Sequence, residues 1–487
     1  MAYFIGIDIG TSGTKTALFD ENGGVITART VTYPMAQPQN GWAEQAPEDW
    51  WQAVRTSLAE VAEKVERVDG IGLSGQMHGL VMLDGDGAVI RPAILWCDQR
   101  TGRECAEITE AVGRERLIAI TANPALTGFT AAKILWVQKH EPENYSRCRH
   151  ILLPKDYIRY KLTGEFATDV SDAGGMQLLD IRNRCWSDEV LEKLAIDKAL
   201  LPTVYESPEI TGVVRGLGKL DGVPVAAGAG DNAVAAVGTG TVMEGKAFTT
   251  IGSSGVVYAH TDRPVIDTEG RVHTFCCAVP GKWHVMGVTQ AAGLSLKWFR
   301  EQFAPGDSYA ELDEQAEKVP VGAERLLFLP YLMGERTPHL DPNARGVFFG
   351  FSALHQKRHM VRAVMEGVSY SLRDCLEVLR QMEIPLSDMT VVGGGGKSTL
   401  WRQMLADIFG MEVRTVAGEE GPALGAAILA GVAVGAYPSV EAACAKAVRK
   451  KPVQKPDPSN TAAYETFYHI YQTLYPALKE SFKILQG

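Results

Sequence analysis

Residues 1–20, MAYFIGIDIGTSGTKTALFD, decide how the rest of the chain is read. An apolar, β-prone run, Phe4 to Ile7, delivers Asp8 to a tight turn of small residues, Gly10 to Lys15. A second β-like run, Thr16 to Phe19, follows at once. This spacing predicts a β-hairpin whose turn offers glycines, hydroxyls and backbone N–H groups. Such a turn can cradle a phosphate, because glycine lets the backbone approach closely and oriented amides favour negative charge. Asp8 at its mouth can hold hydrated Mg²⁺, a hard cation that prefers carboxylate oxygen and water. An ordinary Gly-rich hairpin with Asp capping the turn fits the same residues. Neither G-x-x-x-x-G-K-[ST] nor G-x-G-x-x-G occurs in this stretch.

Outward from the hairpin, 487 residues exceed one hydrophobic core, so two or three domains are expected. An apolar content of 46% with 22% charged residues describes a soluble globular chain. A formal charge of −10 argues against a nucleic-acid surface and against a polybasic membrane patch. An anionic ligand therefore needs local cations, backbone amides or a metal ion. The eight cysteines include no C-x-x-C pair and read as reduced thiols. No basic, apolar leader precedes the first strand, and the apolar helix near Gly425 to Ala436 is too short to span a bilayer. The expectation is a cytoplasmic protein.

Strand-like runs at 4–9, 14–20 and 24–32 predict an antiparallel start, followed by an amphipathic helix from Pro47 and an apolar strand near Val68–Ser74. From Asp98 to Leu201 the pattern is mostly helical and irregular, as an inserted subdomain is. Pro224 to Asn232 is an apolar strand ending in a glycine-bracketed acidic turn. A second start then appears: Lys246–Ile251, the turn Gly252-Ser253-Ser254-Gly255, and Val256–Ala259 repeat the opening hairpin. That echo predicts an internal duplication. No low-complexity linker divides the halves, so a packed hinge near 240–248 is expected, with a ligand cleft between two α/β domains.

Four further segments carry chemistry. Asp231, in Ala229-Gly230-Asp231-Asn232, follows a buried-type strand and opens a helix. Ligands collect at such strand ends, and an ionised Asp near an alcohol can act as general base in phosphoryl transfer. A helix N-cap explains the same residue equally well. Gly75-Gln76-Met77-His78-Gly79 is a compact polar turn suited to a polyol, although a lone His is more often structural. Trp96-Cys97-Asp98-Gln99-Arg100 offers an aromatic platform with charged partners for hydroxyls. A surface Asp98–Arg100 pair is the plainer alternative. Gly393 to Gly396, followed by Lys397 and Ser398, lies between strand and helix, where a bare backbone can lie against a planar base or a phosphate.

In this order, these motifs resemble the FGGY carbohydrate kinases, and within them the xylulokinase branch. The resemblance rests on Asp8–Gly13, Gly75–Gly79, Trp96–Arg100, Leu153–Tyr157, Thr163–Glu165, Gly230–Asn232, Leu329–Pro338, Gly346–Gly350, Glu366-Gly367 and Gly393–Asp407, and so spans nearly the whole chain. It implies two duplicated ribonuclease-H-like domains of actin/hexokinase type with an interdomain cleft, here 1–244 on the sugar side and 245–487 on the nucleotide side. It further implies ATP-dependent phosphorylation of D-xylulose, with ATP and Mg²⁺ as cofactors. Asp231 falls at the family's catalytic base and Asp8 at its acidic metal and phosphate end. Met77, His78, Trp96, Asp98, Arg100, Asp231 and Asn232 fall on the sugar. Thr11, Ser12, Lys15, Gly252, Ser253, Gly293, Gly394 and Ser398 fall on the nucleotide. Ser253 stands where the family's second phosphate turn carries Thr, which keeps the hydroxyl, and Cys97 occupies a variable position. Another ketose or polyol (ribulose, glycerol, gluconate, deoxyxylulose), a sugar-sensing pseudokinase and a homodimer stay open.

Overall fold

The computed structural model describes residues 1–418 and 420–486. Its first sheet is seven-stranded, and five of its strands are β1 (Tyr3–Ile9), β2 (Gly13–Asp20), β3 (Val25–Thr32), β4 (Gly70–Gly75) and β5 (Pro224–Ala226). β1, β2 and β3 run antiparallel in sequence order. β4 then joins β1 in parallel, and β5 joins β4 in parallel. The second sheet is built from β6 (Gly245–Ile251), β7 (Gly255–Thr261), β8 (Trp283–Thr289), β9 (Leu386–Val392) and β10 (Val413–Arg414). Here β6 pairs antiparallel with β7 and β7 with β8, while β9 runs parallel to β6 and β10 parallel to β9. The two sheets share one plan, so the duplication expected from the repeated hairpins is present.

The period of two along β1 explains how its ends are used. Ile5, Ile7 and Ile9 point to one core with Trp50, Val54 and Leu58 of α1 (Pro47–Ala62). Phe4 belongs to the opposite core, against small residues of the later helix. Alternation places Gly6 and Asp8 on that same second face. Since both faces are covered, β1 reads as a nearly unbroken apolar run rather than as alternating apolar and polar residues.

The helices introduced here are α2 (Asp231–Gly238), α3 (Gly293–Phe303), α4 (Lys357–Gln381), α5 (Thr399–Phe409) and α6 (Gly421–Ala433). Although it lies late in the chain, α6 packs on β1, β4 and α2 of the first sheet. Its alanines and glycines let it approach the strands at backbone distance. A Cβ on Gly72 of β4 would overlap the carbonyl oxygen of Ala426. The chain therefore returns to the first sheet after completing the strands of the second.

Between Gly102 and Thr163 five helices form the insertion, and three aromatic or apolar side chains seal it against the second sheet. Phe129 from this insertion packs with Phe248, Tyr258 and Met286 on the outward face of β6, β7 and β8. Among the described residues no helix is long and apolar enough to cross a membrane, and all eight cysteines are free.

Candidate active site

Asp231 is the first residue of α2, just after Ala229-Gly230 pairs in parallel with Ser74-Gly75 at the end of β4. Ser171 Oγ accepts the Gly230 N–H at 3.1 Å and holds this corner. Gly230 is the N-cap, so the capping alternative does not account for the carboxylate. Asp231 Oδ1 accepts the backbone N–H of Asn232 at 2.6 Å and its side-chain amide at 2.9 Å. Oδ2 has no protein partner among the described residues. Burial pushes the Asp231 carboxyl up to about 7, the negative field of Asp8 adds to the rise, and the Asn232 bonds oppose it. Burial also raises Asp8, against the Ser74 Oγ bond to Oδ1 (2.7 Å) and the charge of Lys15. Two half-buried carboxylates thus face one another at the end of the first sheet.

Asp231, Asn232, Met77, His78 and Trp96 line a cavity of about 310 Å³ together with Phe129, whose ring meets the His78 imidazole edge-on at 4.9 Å. His78 adopts a left-handed backbone (φ 67°), which costs about 1–3 kcal/mol unless the surroundings hold it. Thr130 Oγ1 (3.1 Å) and Lys133 Nζ (2.7 Å) both donate to the His78 carbonyl and do so. Burial pulls the imidazole down to about 3, with the charge of Lys133 second, so the ring is neutral. Its Nδ1 lies 2.9 Å from the Gly175 carbonyl. A carbonyl only accepts, so Nδ1 carries the proton and Nε2 is left as an acceptor for a hydroxyl. Trp96 is held by its Nε1–H donating to Thr11 Oγ1 at 3.0 Å. A flat indole beside a neutral acceptor and a carboxylate suits a ligand with an apolar carbon face and several hydroxyls.

A second cavity, of about 660 Å³, is lined by Gly293, Gly394, Ser398, Lys297, Tyr309 and Trp401. Gly252 and Ser253 line both cavities, so the two meet at this turn. The turn is pinned from α3: Gly293 N–H donates to the Gly252 carbonyl at 2.7 Å, and Ala292 N–H to the Ser253 carbonyl at 2.9 Å. A Cβ on Gly293 would stand 2.6 Å from the Gly252 oxygen, so glycine is required for this approach. Gly394 presents bare backbone to open space. Ser398 caps α5, its Oγ accepting the Trp401 N–H at 3.0 Å.

Five of the expected contact residues line neither described cavity. Asp98 and Arg100 line neither cavity. The Arg100 guanidinium is 1% exposed, pairs with Asp98 (2.7 Å) and Glu44 (2.8 Å), and stacks over Trp42 at 3.6 Å. The pair is buried rather than on the surface, and it belongs to the segment that presents Trp96. Lys15 is paired with Glu420 at the start of α6. Thr11 Oγ1 accepts the Trp96 Nε1–H, and Ser12 is exposed at its turn. Conversely, sequence reasoning assigned no role to Phe129, Lys133, Met286 or Arg336, which shape the smaller cavity. Arg336 had a signal, since it falls inside the Leu329–Pro338 segment.

The FGGY family of carbohydrate kinases, N-terminal domain, matches residues 3–238, and its C-terminal domain matches residues 247–434. The chain belongs to the FGGY carbohydrate kinases. This FGGY kinase is 40% identical to the xylulose kinase of Bacillus subtilis (strain 168), over 99% of this chain and 98% of that protein. It superposes with a TM-score of 0.92 on the crystal structure of a "xyloylose kinase" from Brucella ovis, at 37% identity over 98% of this chain and 99% of the other. With the gluconate kinase of Lactobacillus acidophilus the TM-score is 0.94 at 27% identity, each chain covered over 99%. In FGGY kinases such as this one, an actin/hexokinase-type pair of domains is thus shared by proteins named for different sugars.

Proposed function

We propose that this protein transfers the γ-phosphoryl group of ATP to the terminal C5 hydroxyl of D-xylulose. One observation carries the reading. A carboxylate whose Oδ2 has no protein partner among the described residues, Asp231, stands on the wall of a cavity that meets a larger one at the Gly252-Ser253 turn. Sugar fills the smaller space and nucleotide the larger, so the phosphates lie at the junction. Full-length relatives named xylulose kinase support the choice of sugar.

Phosphoryl transfer asks mainly for positioning and charge stabilisation. Trp96, His78 and Met77 hold the carbon chain, and Asp231 Oδ2 accepts the proton of the attacking hydroxyl as the phosphorus–oxygen bond forms. The N–H groups and hydroxyls of the 252–255 turn face the charge that accumulates on the transferred group. Among the described residues no three His, Cys, Asp or Glu side chains form a metal cage. Among the described residues Asp8 Oδ2, like Asp231 Oδ2, has no protein partner, which fits a Mg²⁺ held by one or two carboxylates, water and phosphate oxygens. Bound there, Mg²⁺ supplies positive charge to the phosphates. The free thiols suit a reducing compartment, and we place the enzyme in the cytoplasm.

Coupled ADP detection with a panel of ketopentoses, deoxyketopentoses, glycerol and gluconate tests the assignment. D-xylulose is expected to give the highest kcat/KM, and better turnover of another sugar overturns it. Sugar-stimulated ADP release well above basal hydrolysis separates the enzyme from a sugar-sensing pseudokinase. Asp8→Asn is expected to lower kcat by about 10²- to 10³-fold, with a raised Mg²⁺ requirement and an unchanged melting profile. An Asp8→Asn enzyme with ordinary rate and metal dependence removes Asp8 from the phosphate end.

A further inference from the structure

Arg336 is the one cationic side chain on the wall of the smaller cavity among the described residues. Neighbouring buried cations are already committed. Lys133 donates to the carbonyls of His78 and Gly128, both at 2.7 Å, and Arg100 is held by Asp98 and Glu44. The Arg336 guanidinium has no hydrogen bond, ion pair or ring contact among the described residues.

Its backbone, by contrast, is held firmly. The Glu335 carboxylate accepts from Thr289 Oγ1 (2.6 Å), Gln290 N–H (2.9 Å), Arg336 N–H (2.7 Å) and Ser371 Oγ (3.1 Å). Glu335 and Asp341 also exchange backbone bonds of 2.9 and 2.8 Å. A rigid base therefore presents an uncommitted fork of five donors to an enclosed space, an arrangement that favours a ligand acceptor.

The fork stands away from the base. Arg336 Nη2 lies 3.7 Å from where a Cβ on Gly128 would be. Its charge is felt at His78 and His273, whereas the field acting on Asp231 is that of Asp8. The cavity thus has an acidic pole, where the phosphorylated hydroxyl sits, and a cationic pole beside His78. In a 2-ketopentose the ring forms when O5 adds to C2, so a free O5–H exists only in the open-chain form, which carries a free C2 carbonyl. With O5 on Asp231, the carbonyl end reaches toward the other pole.

We infer that Arg336 contacts the sugar and donates to its C2 carbonyl oxygen, selecting open-chain ketoses over the corresponding polyols; this rests on the ketose-kinase reading above. The test compares wild type, Arg336→Gln and Arg336→Lys with D-xylulose and with xylitol, the same carbon chain reduced at C2, as substrate or competitive inhibitor. Arg336→Gln is expected to raise KM for D-xylulose about 10- to 100-fold and to erase most of the preference for ketose over pentitol. KM for ATP stays as in wild type. Arg336→Lys keeps charge and stem but loses the fork, so it recovers only part of the affinity and still reads the effect if the glutamine variant does not fold. An unchanged KM for D-xylulose, or equal losses for ketose and pentitol, overturns the role of Arg336 and leaves the enzyme assignment standing. A wild type that prefers a polyol or gluconate to every ketose overturns both.

Discussion

Asp231→Asn is expected to lower kcat about 10²- to 10⁴-fold while KM for the sugar stays close to that of wild type. The amide preserves shape and keeps an acceptor for the Asn232 N–H bonds of 2.6 and 2.9 Å, but it cannot take up a proton. A second signature follows from the carboxyl being pushed up to about 7. In wild type kcat/KM should rise as pH increases through about 7, because only the ionised base works; the variant's residual rate should lack that inflection.

Stability should move the other way. An acid whose folded pKa stands above its ordinary 3.8 holds its proton more tightly in the folded chain. The stabilisation linked to it is complete below about pH 4 and is lost as pH rises through about 7. Asparagine never ionises, so Asp231→Asn is expected to be more stable than wild type above pH 7, by on the order of 4 kcal/mol. The difference should vanish near pH 4. Urea midpoints across that range, paired with the pH–rate profile, check both halves. Near-normal turnover in a folded Asp231→Asn protein removes it as the base.

Gly72→Ala is the second large effect, and it falls on folding. Gly72 has ordinary backbone angles, so alanine carries no conformational strain there. The added methyl overlaps the Ala426 carbonyl oxygen of α6, and a helix must move off a sheet to make room. Overpacking of a close backbone contact costs about 1–3 kcal/mol, and this site should lie at the upper end. The urea midpoint should fall accordingly, with faster hydrogen exchange in both β4 and α6, although β4 ends at Gly75 and α6 begins only at Gly421. A midpoint equal to that of wild type would mean that α6 does not seat on the first sheet at backbone distance.

That contact shows where local pattern stops being informative. The run Phe4–Ile9 announces a strand by its apolar, β-branched residues, and Gly10–Gly13 announces its turn. The same signals at 246–259 announce the duplicate. These are short-range properties, set by side-chain period and turn chemistry, so the hairpins, their repetition and the acidic corner at Asp231 were legible. The small-residue helix at 421–433 was legible as a helix but not as a cover for β1 and β4, because alanine and glycine do not encode a partner.

Charge pairing was the least legible feature. Asp98, Arg100 and Lys15 are types that bind sugars and phosphates, and their spacing permits it. Asp98 and Arg100 pair with each other as their spacing allows, but the further partners of Arg100, Glu44 and Trp42, and the partner of Lys15, Glu420, come from distant segments. Arg336 is the converse case, a cation on a cavity wall whose guanidinium has no partner among the described residues, which becomes visible only when its neighbours are placed. The sequence by itself determined the elements, the duplicated plan and the residue types gathered at the strand ends, because those depend on neighbours a few positions away. Tertiary structure alone decided which charges neutralise one another and which are left facing a cavity, because a buried ion's partner is set by packing between segments far apart in the chain.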